Sequence, residues 1–344
     1  MITKKRTGVL NAAWLKWIAV PLLTFLLAAV VTKNLVPAKR GVDGEQLRQT
    51  LAASLLKLDS GDRAGALDGL VRAGNMAPNN RAVQASLIGN FQALGEYKLA
   101  AEAIERTLRA MPKERQTAQS YAGLCEYLLN HGDIDNAKRV LAGDLMARWP
   151  DAVETVYLQG KVMLQRAAGK DDLSAAAKQL QKCVALDAGH VPSKLQLGIA
   201  NWRLGELDQA EPLLRTVLEQ RPFDPLVLYH LGEVLRQQGK TAEAAKVLDE
   251  HKRVSELQER RKQLESRYIL KQLQPTDLLE LGRIYGQLGE FAKAARTLRA
   301  HTRRQPADAD AQRELAQVCL RIDDKEGARI ATELADALDA ARGP

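Results

Sequence analysis

An alanine recurs through this chain at Ala66, Ala100, Ala137, Ala176, Ala210, Ala244, Ala294 and Ala328. Four of the seven intervals are 34 residues; the others, 37, 39 and 50, are longer. A fixed period with insertions marks a chain built from one repeated supersecondary unit, and 34 residues is the length of a helix–turn–helix repeat. A two-helix unit cannot bury its apolar face alone, so neighbouring units must stack to make a core. That requirement limits the fold more than any other feature.

The residues around each alanine obey the same register. Gly61, Gly95, Gly132, Gly205, Gly239 and Gly289 stand five places before theirs, where a left-handed residue would end one helix and turn the chain. Pro78, Pro112, Pro222 and Pro306 stand twelve places after, and Pro150 thirteen, where proline ends the second helix. Leu87 and Phe91, Leu231 and Leu235, and Leu281 and Tyr285 are i, i+4 pairs on the first helices. One turn after the alanine comes a large residue in seven of eight units, such as Leu70, Leu214, Leu248 and Leu298, to fill the space that a close helix crossing leaves; the eighth has Thr332, as a solvent-facing cap would. The chain is 46% hydrophobic but 4% aromatic, an apolar content of Leu, Ala and Val that suits helices.

On these residues the chain resembles the tetratricopeptide repeat family over about residues 47–342. The stretch LLELGRIYGQLGEFAKAARTLRAHTRRQP, with Leu281, Gly282, Tyr285, Gly289, Phe291, Ala294 and Pro306, carries the family's pattern most fully. The resemblance implies an all-α fold, a right-handed α-solenoid of about eight helix–turn–helix units whose first helices line a concave face. Residues 41–46 would link it to what precedes.

Three places depart from the pattern. The fourth unit lacks the turn glycine and has RAAGKDD instead, which predicts a longer loop at residues 167–172. The last unit has Asp323 where glycine belongs. Residues 249–273 hold an insertion without glycine or proline, rich in good helix formers, which predicts an extended helix. Its partial stripe of Val254, Leu257, Leu264 and Tyr268 fits either a solvated helix or a protruding coiled-coil contact.

Residues 1–40 differ in character. They carry seven basic residues and no acid, leaving 43 basic against 42 acidic residues in the rest of the 344-residue chain. Residues 17–32 are uncharged, and with snorkelling of Lys16 and Lys33 a span of about residues 14–36 reaches bilayer length. Trp14 and Trp17 sit where interfacial aromatics belong. An uncleaved single-pass helix in the inner membrane is the expectation, with a cleaved signal and a soluble helix as alternatives. The N-terminal lysines favour a body outside the cytoplasm, a cytoplasm-facing body being the alternative.

No catalytic constellation is legible. The five histidines form no HExxH and no cysteine–histidine ligand spacing, and P-loop, GxGxxG and GxSxG are missing. His230 and Glu233, three apart on a helix, read as a surface or groove contact. Cys125, Cys183 and Cys319, far apart and odd in number, read as buried apolar residues rather than disulfides or metal ligands. A body near charge balance lacks the basic surface that nucleic acid requires. We therefore expect no cofactor, no metal, no nucleic acid and no small-molecule substrate. The resemblance places Leu195, Ile199, Trp202 and Arg203 of the fifth unit, Leu226, Tyr229, Glu233 and Arg236 of the sixth, and Arg283 of the seventh in a groove for protein or peptide partners. The expected function is a membrane-anchored scaffold that assembles or supports a bacterial envelope complex. The alternatives are an assembly factor in secretion, polysaccharide export or cytochrome maturation and, more remotely, an enzyme's substrate-binding arm or a nucleic-acid binder.

Overall fold

The structure, a computed structural model, describes residues 44–269 and 274–342. The expected anchor, about residues 14–36, lies outside the described residues; among those described, no helix is long and apolar enough to cross a membrane. The described residues hold sixteen α-helices and no strand. They fall into two compact units that divide between Val162 and Met163.

The first unit contains α1 (Gly44–Asp59), α2 (Arg63–Met76), α3 (Arg81–Ala93), α4 (Tyr97–Arg109), α5 (Ala118–Asn130), α6 (Ile134–Val140) and the start of α7 (Val153–Arg166). α1 pairs with α2, α3 with α4 and α5 with α6, and each hairpin packs on the next. Leu47, Leu51, Leu70, Val83, Leu87 and Phe91 form its main cluster, all buried. Each such side chain contributes about 1.5–3 kcal/mol on leaving water.

The second unit holds the end of α7, then α8 (Lys170–Leu186), α9 (Val191–Leu204), α10 (Leu207–Gln220), α11 (Pro225–Gln237), α12 (Thr241–Ile269), α13 (Pro275–Gln287), α14 (Phe291–Arg304), α15 (Ala309–Arg321) and α16 (Lys325–Arg342). Consecutive helices from α8 to α16 pack on one another, and α9 lies beside α11.

All eight repeating alanines are buried, with 5% exposure or less. The leucines that follow them need an empty place across the hairpin, and glycine supplies it. A Cβ on Gly198 would meet Leu214 at 3.0 Å, one on Gly282 would meet Leu298 at 2.8 Å, and one on Gly232 would meet Leu248 at 2.5 Å. The six turn glycines all have positive φ, between +72° and +86°. Asp323 adopts the same conformation, φ +58°, the one non-glycine residue among those described to do so.

The proline that comes one residue late in the third unit has a local cause. α6 continues as a π-helical turn, Leu141–Met146, which carries one more residue than an α-turn and so absorbs the extra position. Leu145 thereby still reaches the core, fully buried.

Two expectations need correction. The fourth unit has no long loop: only residues 167–169 separate α7 from α8. The Ala168 N–H donates to Asp172 Oδ2 at 3.0 Å, and Arg203 donates from Nη1 to the Leu164 carbonyl at 2.8 Å and from Nη2 to the Ala167 carbonyl at 3.0 Å. Side chains thus satisfy the helix-end groups that a left-handed glycine turn serves elsewhere.

Nor does the insertion protrude. α12 runs unbroken to Ile269, and its extension lies on α13, with Val254 and Leu264 fully buried beside Leu281, Ile284 and Tyr285. Arg260 Nη2 meets Glu280 Oε2 at 2.7 Å, Arg267 meets Asp277 at 3.1 Å, Arg261 pairs with Glu290, and the Tyr285 hydroxyl donates to Glu265 at 2.7 Å. Leu257 packs against the same cluster, so the described part of the apolar stripe is used within the chain; the side chain of Tyr268 lies outside the described residues.

Candidate partner-binding surface

The residues expected in a groove divide into three groups. Leu195 and Ile199 on α9 are buried, so they form the floor beneath the surface. Trp202 is half-buried at the end of α9. Leu226 and Tyr229, one turn apart on α11, are exposed at 45% and 40%, high for side chains of that size.

An aromatic cluster joins these helices. The Trp202 and His230 rings meet edge to face with centroids 4.8 Å apart; Tyr229 lies 5.2 Å from His230 and 5.6 Å from His251 on α12. His230 is buried rather than a surface contact, with the Trp202 ring of α9 against it. Desolvation holds its imidazole down at about 4, although Glu233 pulls the other way. Trp202 Nε1 and His230 Nδ1 are both buried without a hydrogen-bond partner among the described residues. A buried polar atom left unpaired costs about 1–3 kcal/mol.

The arginines have other tasks. Arg203 closes the end of α7. Arg236 is tied to Glu233, Nη2 to Oε2 at 2.8 Å. Arg283 forms a bidentate pair with Glu314 of α15, at 2.6 and 2.9 Å, while its helix packs chiefly on α12 and α14. The structure therefore joins Trp202 and Tyr229 through His230, with Leu226 exposed one turn before Tyr229 on α11, while Arg203, Arg236 and Arg283 are each engaged within the chain.

Sequence reasoning missed two arrangements. His251 and His301 each stand seven places after the repeating alanine, and each donates from Nδ1 to the carbonyl of a helix-opening proline, Pro225 and Pro275, at 2.9 Å. Their shared register was the available signal. Ser193 lies against Cys183, Oγ to Sγ 2.8 Å, and its N–H donates to His190 Nδ1 at 3.3 Å, capping α9. The three cysteines are buried and form no disulfide with one another; desolvation pushes the Cys125 thiol up to about 12. Among the described residues no three His, Cys, Asp or Glu side chains gather as metal ligands would.

The tetratricopeptide repeat profile matches residues 195–255 and 279–342. These stretches resemble tetratricopeptide repeats. They contain the aromatic patch, and the gap between them coincides with the extension of α12. A protein named as cellulose synthase operon protein C, from Escherichia coli O157:H7, is 34% identical over 99 residues, which is 29% of this chain and 7% of that protein. The chain thus spans a small fraction of that relative's length. Among solved structures, a tetratricopeptide repeat protein from Parabacteroides merdae is 16% identical, with 85% of this chain and 99% of that one covered at a TM-score of 0.41. The MamA protein is 18% identical, with 51% and 92% covered at a TM-score of 0.35.

Proposed function

We propose that this chain is a non-catalytic scaffold whose residues 1–40 hold it in the inner membrane, with the helical body outside the cytoplasm, and whose α9–α11 face binds protein partners of a bacterial envelope complex. One observation carries the partner reading: Leu226 and Tyr229 stand exposed beside half-buried Trp202, while the arginines around them are engaged within the chain. Aromatic side chains near a pocket centre are the usual anchors of protein recognition. With its charges paired, such a face selects an apolar or aromatic side chain, not a terminal carboxylate. The match to tetratricopeptide repeats supports interaction as the task.

A second reading, an assembly factor in polysaccharide export, draws support from the name of the E. coli relative, which assigns that protein to a cellulose synthase operon.

Photo-cross-linking from position 229 in the full-length chain tests the face. Partner adducts should appear, and Trp202→Ala should reduce them. If adducts are unchanged by Trp202→Ala, the binding face lies elsewhere. Deleting residues 1–40 should move the protein from the membrane to the soluble fraction; a full-length chain that is already soluble rules out the anchor.

A further inference from the structure

The last hairpin breaks the repeat's surface pattern in one direction only. Two and six places after the repeating alanine, the second helix of every unit points outward. The second unit has Glu102 and Arg106 there, the fourth Lys178 and Lys182, the sixth Lys246 and Glu250. No unit but the last puts a large apolar residue at either place. The last has Ile330 and Leu334, exposed at 45% and 48%, with Ala337 continuing the stripe along α16. The inner face of the same helix is complete, since Ala328, Ala331 and Ala335 are buried. A further face of α16 is polar, with Arg329, Glu333 and Asp336 all exposed. The outer stripe is therefore surplus to folding.

Its two borders carry opposite charge. On one side stand Glu326, Glu333 and Asp336, with Arg329 held between Glu326 at 2.7 Å and Glu333 at 2.6 Å, so carboxylates exceed cations by two. On the other side lies α14, whose Arg299 pairs with Asp324 at the head of α16 and whose Ala295 and Leu298 share a buried cluster with Ala328 and Ala331. Its outward positions include Arg296 and Arg303, both exposed and without an ion-pair partner among the described residues. A two-fold axis parallel to α16 would lay one stripe on another and set each carboxylate border against the partner's arginine border. An antiparallel pairing would oppose like charges. We propose that the outer face of α16 is a self-association surface, occupied by the same face of a second copy of this chain, with the two α16 helices parallel.

A disulfide reports the pairing directly, because a parallel two-fold axis puts each residue of the stripe opposite its own copy, and the native cysteines are buried. Leu334→Cys in the full-length chain, oxidised in its native membranes, should give a linked dimer on a non-reducing gel. Thr332→Cys, exposed but off the stripe, should not. Adding Glu333→Arg to Leu334→Cys should lower the dimer yield by about five-fold, and combining it with Arg296→Glu should restore it. A monomer from Leu334→Cys, linkage to a different protein, or equal linkage from Thr332→Cys would each overturn the assignment.

Discussion

Arg203 separates a structural from a binding role. Replacing it with alanine removes two charge-assisted hydrogen bonds, to the Leu164 and Ala167 carbonyls at 2.8 and 3.0 Å. Such bonds contribute about 1.5–3 kcal/mol each when buried; because Arg203 is exposed and water can replace it, roughly 2 kcal/mol for the pair is the better figure. That corresponds to about a 30-fold larger opening constant for the last turn of α7. Native-state hydrogen exchange reads local opening residue by residue, so the amides of that turn should lose about 30-fold protection while those of α13 to α16 keep theirs. Arg203→Lys offers one compact cation for two carbonyls and should lose about five-fold. If Arg203→Ala leaves the turn within about two-fold of the parent while partner adducts at position 229 fall, then Arg203 serves the binding face and the capping argument is wrong.

His230 should make stability depend on acid. Its folded pKa of about 4 lies below the ordinary 6.5, so between those values the unfolded chain binds more protons, and stability falls as pH drops through that window. The loss is at most about 3 kcal/mol, and His230→Phe should flatten that part of a pH series of denaturant melts. Gly232→Ala should cost about 1–3 kcal/mol, because the added carbon would stand 2.5 Å from Leu248, whereas Gly123→Ala, with open space around it, should gain about 0.5–1 kcal/mol; thermal melts compare the two. Asp323→Gly should stabilise the last turn by about 0.5 kcal/mol, since the left-handed conformation costs glycine least and the pairing of Asp323 with Lys325 is exposed at both ends. No gain in the melting temperature would mean that Asp323 makes up the strain locally.

What the sequence discloses is what the backbone itself requires. Turn glycines, crossing alanines and terminating prolines answer to φ, to helix separation and to a missing N–H, and all three can be read from spacing. The groove residues were harder because long side chains choose partners across the fold. Arg203 reaches back 36 and 39 residues, and Arg283 reaches forward 31. Spacing can place an arginine on a face but not say which carbonyl or carboxylate it will find. The breaks in the pattern show the same division. Each is answered by a different device: Arg203 and Asp172 where the fourth unit lacks its glycine, a strained aspartate in the eighth, a π-turn for one extra residue in the third, and a docked helix for the insertion. A break so answered is spent on folding. The surfaces proposed for partners are two of the places where apolar side chains stay exposed: Leu226 and Tyr229 on one helix, Ile330 and Leu334 on another.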